Sequence, residues 1–241
     1  MDFDFTDDQL SLRDAVARWV EKGFGFERRH GLAKAGGATR AVYTELAELG
    51  LTGLAVPEAH GGMGFGAVEA MVVMEELGRG LVNAPYAQGA LVTPALLAAA
   101  PAEVQAAWLP RVADGSALVV LAQQERQSRY RLNQVATRAT QTASGWTLSG
   151  TKQLVPAADE ADAFIVSARV SGADTDVAGI GLFLVERSAA QVRAYATHDG
   201  ARAGDVTLQA APATLLVADG LAVLETAVDV GIAAQCAEAV G

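Results

Sequence analysis

Two acidic residues near the C-terminal end, Glu225 and Asp229, stand four apart in the otherwise apolar stretch GLAVLETAVDVGIAAQCAEAVG. On a helix that spacing puts both carboxylates on one face, where like charges are mildly destabilising. Either the pair is the solvated stripe of that helix, or one carboxylate sits in an apolar pocket. In the second case desolvation raises its pKa towards the working range of a general base. A second cluster, ERQSRYR at 125–131, sets Arg126, Arg129 and Arg131 beside Ser128 and Tyr130. Three guanidiniums directly after a strand suit a phosphate or a partner's carboxylates, and suit equally a solvated, charged turn.

The remaining reactive residue types form no constellation. Gly62, Gly64 and Ala67 in GMGFGA fit the G-x-G-x-x-[GA] spacing of dinucleotide loops. That reading needs a strand directly before the motif, yet Pro57 to Gly61 intervene and helical segments follow. The stretch reads as a glycine-rich loop leading into a helix; a nicotinamide-binding protein is an alternative that an NAD(H) titration would eliminate. His30, His60 and His198 lie far apart with no Ser, Cys or Asp that demands them. Cys236 is the single cysteine, and neither CxxC nor HExxH spacing occurs, so no metal is expected.

Composition narrows the class. The chain has 241 residues, 51% hydrophobic and 19% charged, enough for a sizeable core. Its net charge of −10 argues against nucleic acid or an anionic membrane surface as partner. The start MDFDFTDDQL is acidic, unlike a secretory signal, and the apolar runs are too short or broken to span a bilayer. A cytoplasmic location is the plain expectation.

The elements that must position these residues change character along the chain. Thr6 and Gln9 make a capping box before Leu10, Leu12, Val16, Trp19 and Val20 at helical spacing. Val42, Leu46 and Leu49 form a second set that ends at Gly50, as a helix C-terminus would. GAVEAMVVMEELGRG is a third helix, ALVTPALLAAA a buried one, and PAEVQAAWLPRVADG opens with Pro101 at a first-turn position. From about residue 116 the period shortens. SALVVLAQQ, QVATRATQTA, GWTL, TKQLV, DAFIVSARV, GIGLFLVE, VRAYATH and GDVTLQA read as short strands of an antiparallel sandwich or barrel. GWTLSGTKQLVP is expected to be a hairpin turning at Ser149-Gly150. Near Asp219 the helical pattern returns, too apolar to stand uncovered, so a partner or a further helical domain is expected there.

Four segments in order carry a resemblance to the acyl-CoA dehydrogenase family: FTDDQLSLRDAVARWV, LAELGLTGLAVPEAHGGMGFGAVEAMVVMEELGRG, GWTLSGTK followed by ADAFIVSAR, and LETAVDVGIAAQCAEAVG. ERQSRY and GIGLFLV are most similar to the small subunits of pimeloyl-CoA dehydrogenase-like heteromeric enzymes, which work beside a larger homologous subunit. The resemblance implies an N-terminal all-α domain (1–115), an antiparallel β-barrel (116–218) and the first helix (219–241) of a C-terminal helical bundle of which the rest is absent. It implies FAD-dependent α,β-dehydrogenation of an acyl-CoA thioester: a carboxylate removes the α-proton while the β-hydrogen leaves as hydride to the flavin. A homologous large subunit or a second copy would complete the assembly, with an electron-transfer flavoprotein as acceptor.

The same resemblance assigns residues. Leu224-Glu225 with Gly231 six positions on matches the context of one branch's catalytic Glu, making Glu225 the candidate base. Gln124, Arg129 and Tyr130 fall where the family approaches the cofactor with a Thr-Glu-Pro and Gly-Ser segment. Leu154 and Pro156 fall where it places Trp and Thr beside the isoalloxazine. Leu cannot stack as an indole does, Pro has neither hydroxyl nor N–H, and bulky residues replace glycine's close approach. The resemblance therefore leaves two readings, a catalytic subunit or a non-catalytic partner with a degenerate FAD site. The fold also hosts other flavin chemistries.

Overall fold

The computed structural model describes residues 4–241; the first three residues of the N-terminal segment lie outside it. Helix α1 (Asp7–Gly23) starts on the expected capping box. Thr6 Oγ1 accepts the Gln9 N–H, Gln9 Oε1 accepts the Thr6 N–H, and Asp7 and Asp8 face the positive helix end. Helix α3 (Arg40–Glu48) ends as expected before Gly50, which adopts φ of 78°. Helix α4 (Ala67–Arg79) follows the GMGFGA loop. A π-helical turn, Ala87–Val92, then runs into α5 (Thr93–Leu97), and α6 spans Ala102–Ala113 with Pro101 as its N-cap, one position earlier than expected. Helix α2 (Phe26–Lys34) was not anticipated; it buries no residue, so it carries no apolar period to read.

The strands are β1 (Val119–Ala122), β2 (Arg138–Thr142), β3 (Gly145–Pro156), β4 (Ala163–Arg169), β5 (Ile180–Glu186), β6 (Gln191–Ala196) and β7 (Arg202–Val217). Six of them run in the order β1-β4-β2-β3-β7-β5, β6 pairs with β7 beside that path, and β5 pairs back onto β4, which closes the sheet into a barrel. Pairings are antiparallel except β1–β4 and the single β2–β4 contact, Arg138 opposite Arg169, which are parallel. Alternation divides each buried strand between two cores. Val120, Phe164, Val166, Phe183 and Val185 point into the barrel, while Val119, Ile165, Leu182 and Leu184 point out beneath α5, α6 and the last helix, α7 (Leu221–Val240). Burial on both faces is why these strands read as continuous apolar runs.

Two sequence expectations are corrected here. Residues 145–156 form one strand, not a hairpin turning at Ser149-Gly150. The turn falls at Ala143-Ser144, and Thr142 pairs with Gly145 across it. Likewise GDVTLQA is only the first half of β7, which continues for 16 residues. The first error follows the turn dipeptide Ser149-Gly150, which long-range pairing with β7 overrides, and that ladder carries two bulges. The ladder slips between Leu148/Gly150 and again between Lys152/Val155. Ala210 on β7 and Leu154 on β3, at φ of 48° and 53°, absorb the extra residues.

Helix α7 lies across α4. A Cβ on Gly78 would overlap the Glu238 carbonyl, so the crossing needs glycine there. In the loop before α4, Gly64 N–H donates to the Val56 carbonyl and Phe65 N–H to that of Leu54. GMGFGA is thus folded onto residues 53–56 with no strand before it, and the dinucleotide reading falls away.

Candidate functional site

The end of β1 and the β3 bulge are tied together. The Gln153 N–H donates to the Gln124 carbonyl at 2.8 Å. Nearby, the Tyr195 hydroxyl donates to Asp205 Oδ1 at 3.2 Å. Leu154, held at positive φ, is 52% exposed and projects away from the barrel instead of into it. A β-carbon at that φ is strained, and the bulge that imposes it is held from both sides.

Beneath this corner lies a buried ion pair. Lys152 Nζ contacts Glu125 Oε1 at 2.7 Å and reaches the Ser167 hydroxyl and the Gln123 carbonyl. Glu125 also accepts from the Ala136 and Thr137 N–H groups and the Thr137 hydroxyl. Burial pushes the Lys152 ammonium down to about 8, against the pull of Glu125. For Glu125, burial acts upward, but Lys152 and the three donors outweigh it and hold the carboxyl below its ordinary range. Sequence reasoning took no functional cue from either residue. The signal was available: Lys152 shares the inward phase of β3 with Trp146 and Leu148, so a carboxylate had to meet it.

A groove of about 470 Å³ opens between this corner and α7. Gln124, Leu154 and Pro156 form one wall, and Ala227, Val228, Gly231 and Ile232 of α7 form the other. Three of the sequence-derived site residues are therefore brought together. Arg129 and Tyr130 are not; they stand exposed on the 126–131 loop, Tyr130 at 98%. Ser128 staples that loop by exchanging hydrogen bonds with the Glu125 backbone, which leaves Arg126, Arg129 and Arg131 pointing to solvent. Glu225 is exposed and lies on the stripe of α7 that carries Val228, Ile232 and Cys236, two residues before Ala227, where the groove wall begins. Its i+4 neighbour Asp229 lines a different, apolar cavity of about 530 Å³ on the other flank of α7, between α4 and α5. His30 and His198 are exposed and His60 half-buried, none of them in these cavities.

The groove's chemistry suits a flat heteroaromatic ring. Its apolar walls come from Leu154, Pro156 and α7. The Gln153 backbone N–H is already engaged and Pro156 has none, and the amide side chains of Gln88, Gln123, Gln124, Gln153 and Gln235 line the groove as donors to ring carbonyls and nitrogens. The residues lining the groove therefore fit the isoalloxazine of a flavin, while the three loop arginines stand outside that lining. Among the described residues no group of His, Cys, Asp or Glu is arranged to hold a metal, and no helix is long and apolar enough to cross a membrane.

Comparison with known proteins agrees with this architecture. Residues 6–116 match the family described as "Acyl-CoA dehydrogenase, N-terminal domain", and residues 121–210 match "Acyl-CoA dehydrogenase, middle domain". Benzylmalonyl-CoA dehydrogenase of Aromatoleum aromaticum is 30% identical over 190 residues, covering 78% of this chain and 49% of that protein. Acyl-CoA dehydrogenase FadE12 of Mycobacterium tuberculosis is 29% identical, covering 76% and 48%. The chain spans about half the length of these curated relatives. Among solved structures, a "Tcur3481-Tcur3483 steroid ACAD" variant superposes with a TM-score of 0.83 at 30% identity, covering 96% of this chain and 62% of that one. The ChsE4-ChsE5 complex from Mycobacterium tuberculosis gives 0.85 at 26% identity, covering 99% and 64%.

Proposed function

Because the chain belongs to the acyl-CoA dehydrogenase family, we propose that it is one subunit of an FAD-dependent acyl-CoA dehydrogenase whose site is completed by a homologous chain. The observation that carries this is the convergence of Gln124, Leu154 and Pro156 on a single groove against α7. FAD, when bound, supplies the two-electron acceptor for the β-hydrogen leaving as hydride. The residues of this chain do the rest. With the cofactor bound, Leu154 and Pro156 would pack against the ring, Gln124 and Gln153 would offer it amide hydrogen bonds, and Arg126 and Arg129 would supply positive charge for the pyrophosphate. Glu225 takes the α-proton once a thioester and a second chain cover it, and an electron-transfer flavoprotein collects the electrons.

A second reading has its own support. Glu225 is exposed and outside the groove wall, and neither Leu154 nor Pro156 offers the indole or hydroxyl of its relatives. On that reading the chain is a non-catalytic partner that shapes the homologous subunit. The separating experiment is the visible spectrum of the purified chain, alone and mixed with a homologous larger subunit, followed by turnover of the Glu225→Gln complex. Flavin absorbance in the mixture with turnover abolished by Glu225→Gln is expected. Flavin with unchanged turnover would transfer the base to the other subunit and favour the partner reading. No flavin in either sample would overturn both.

A further inference from the structure

Strand β1 makes its last ladder pair at Ala122, opposite Val166, yet the residues that line the groove just after it are Gln123 and Gln124. They lie beyond the strand, so no sheet register places them. Lys152 does. Its ammonium has three N–H donors, and all are engaged: on Glu125 Oε1 at 2.7 Å, on the Ser167 hydroxyl at 3.2 Å and on the Gln123 carbonyl at 3.3 Å. Gln123 and Glu125 bracket Gln124, whose own carbonyl takes the Gln153 N–H at 2.8 Å. Gln124 is therefore held at the residue before it, at the residue after it and at its own carbonyl.

The same ammonium fixes the other side of the corner. Lys152 pairs opposite Val206 immediately before the ladder slip that turns Leu154 to the groove. Glu125 is anchored away from the groove, its Oε1 accepting the Thr137 N–H and hydroxyl and its Oε2 the Ala136 N–H. A buried ion pair is weak evidence for stability, because apolar side chains of similar volume would fill the space at little loss. What an apolar pair lacks is direction: it cannot hold a carbonyl, and so cannot fix where the next amide points.

Resting on the functional reading above, we infer that Lys152 is a positioning residue for the flavin: paired with Glu125, it sets the end of β1 against the β3 bulge so that the Gln124 amide meets the ring Leu154 packs against. Lys152 and Glu125 are buried beneath the corner and neither lines the groove. Their effect passes through Gln124 and the bulge, as preorganisation of the site.

The test uses the complex of this chain with its homologous subunit and FAD itself as the probe. Affinity is read by titration and the fixing of the ring by visible circular dichroism of the bound flavin. The double variant Glu125→Leu with Lys152→Met removes the clamp and keeps an apolar filling. Its denaturation midpoint should stay near the parent's, while the Kd for FAD rises about tenfold and the visible dichroism weakens. Gln124→Ala alone should raise Kd by a similar factor. Added to the double variant it should cost little more, because the clamp acts through Gln124. Glu125→Gln, which keeps the shape and loses the charge, serves where the double variant fails to fold, and should raise Kd about threefold. Parental Kd and dichroism in a folded clamp variant would overturn the inference and leave the functional reading standing. Losses that simply multiply with that of Gln124→Ala would do the same. A parent complex that takes up no FAD would overturn both.

Discussion

The barrel and helix α7 depart from ordinary globular design in opposite directions. The barrel carries charge where apolar side chains are expected: Lys152, Glu125 and Arg169 are buried. Each is met by the same chain, Arg169 donating through its two Nη atoms to the carbonyls of Asn133, Asp174, Asp176 and Ala178 while its buried Nε is left without a partner. Helix α7 carries apolar side chains where charge is expected, with Ile232 55% exposed and Glu225, Asp229 and Glu238 its acidic exceptions. A buried charge is tolerable only when every partner is fixed, so the barrel is rigid by necessity. The outer face of α7 has no such obligation, and the candidate groove forms where the fixed corner meets that unobligated face.

The contrast breaks most visibly at Lys152. Lys152→Met should cost about 3–5 kcal/mol in chemical denaturation, because Glu125 is left charged and unpaired. The double variant Glu125→Leu with Lys152→Met should recover most of that loss. A single variant as stable as the parent would show that the pair does not hold the barrel.

Acid should separate the two regions next. The Glu125 carboxyl is held below its ordinary value of 4.5, so its contribution is complete above that pH and is lost as pH falls through the native value. Denaturation midpoints from pH 6 down to pH 3 should decline in the parent, and less steeply in the double variant; parallel declines would assign the acid sensitivity elsewhere. A smaller effect is expected at the seam. Leu154→Gly should raise stability by about 0.5 kcal/mol, since relief of the left-handed strain exceeds glycine's entropy cost. Smallest of all, Ile232→Ser on α7 should change the unfolding free energy by less than about 0.5 kcal/mol, as for other surface positions. A larger loss would mean that the helix is fastened to its own chain more tightly than its exposure indicates.

The fold was legible wherever local chemistry was decisive. Thr6 with Gln9, Gly50 after α3, and the apolar runs that became β4 and β5 each reported their element directly. The turn at Ala143-Ser144 was missed because Ser149-Gly150 is the stronger turn dipeptide, and long-range pairing of β3 with β7 overrode it. The site was legible in half. Gln124, Leu154 and Pro156 meet because β1 and β3 end at one corner, whereas Arg129 and Tyr130 follow a turn whose staple, Ser128, directs them outward.

The slip between Lys152 and Val155 has one more consequence. Up to Lys152 the even-numbered residues of β3 face the barrel interior, and beyond it the odd-numbered Val155 does, so one surplus residue reverses the phase of the strand. Leu154 faces the groove only because of that reversal. Removing a single residue here would let the ladder run through in register, keeping the barrel's interior while erasing the groove's wall. Scaffold and candidate site are thus separable by one codon.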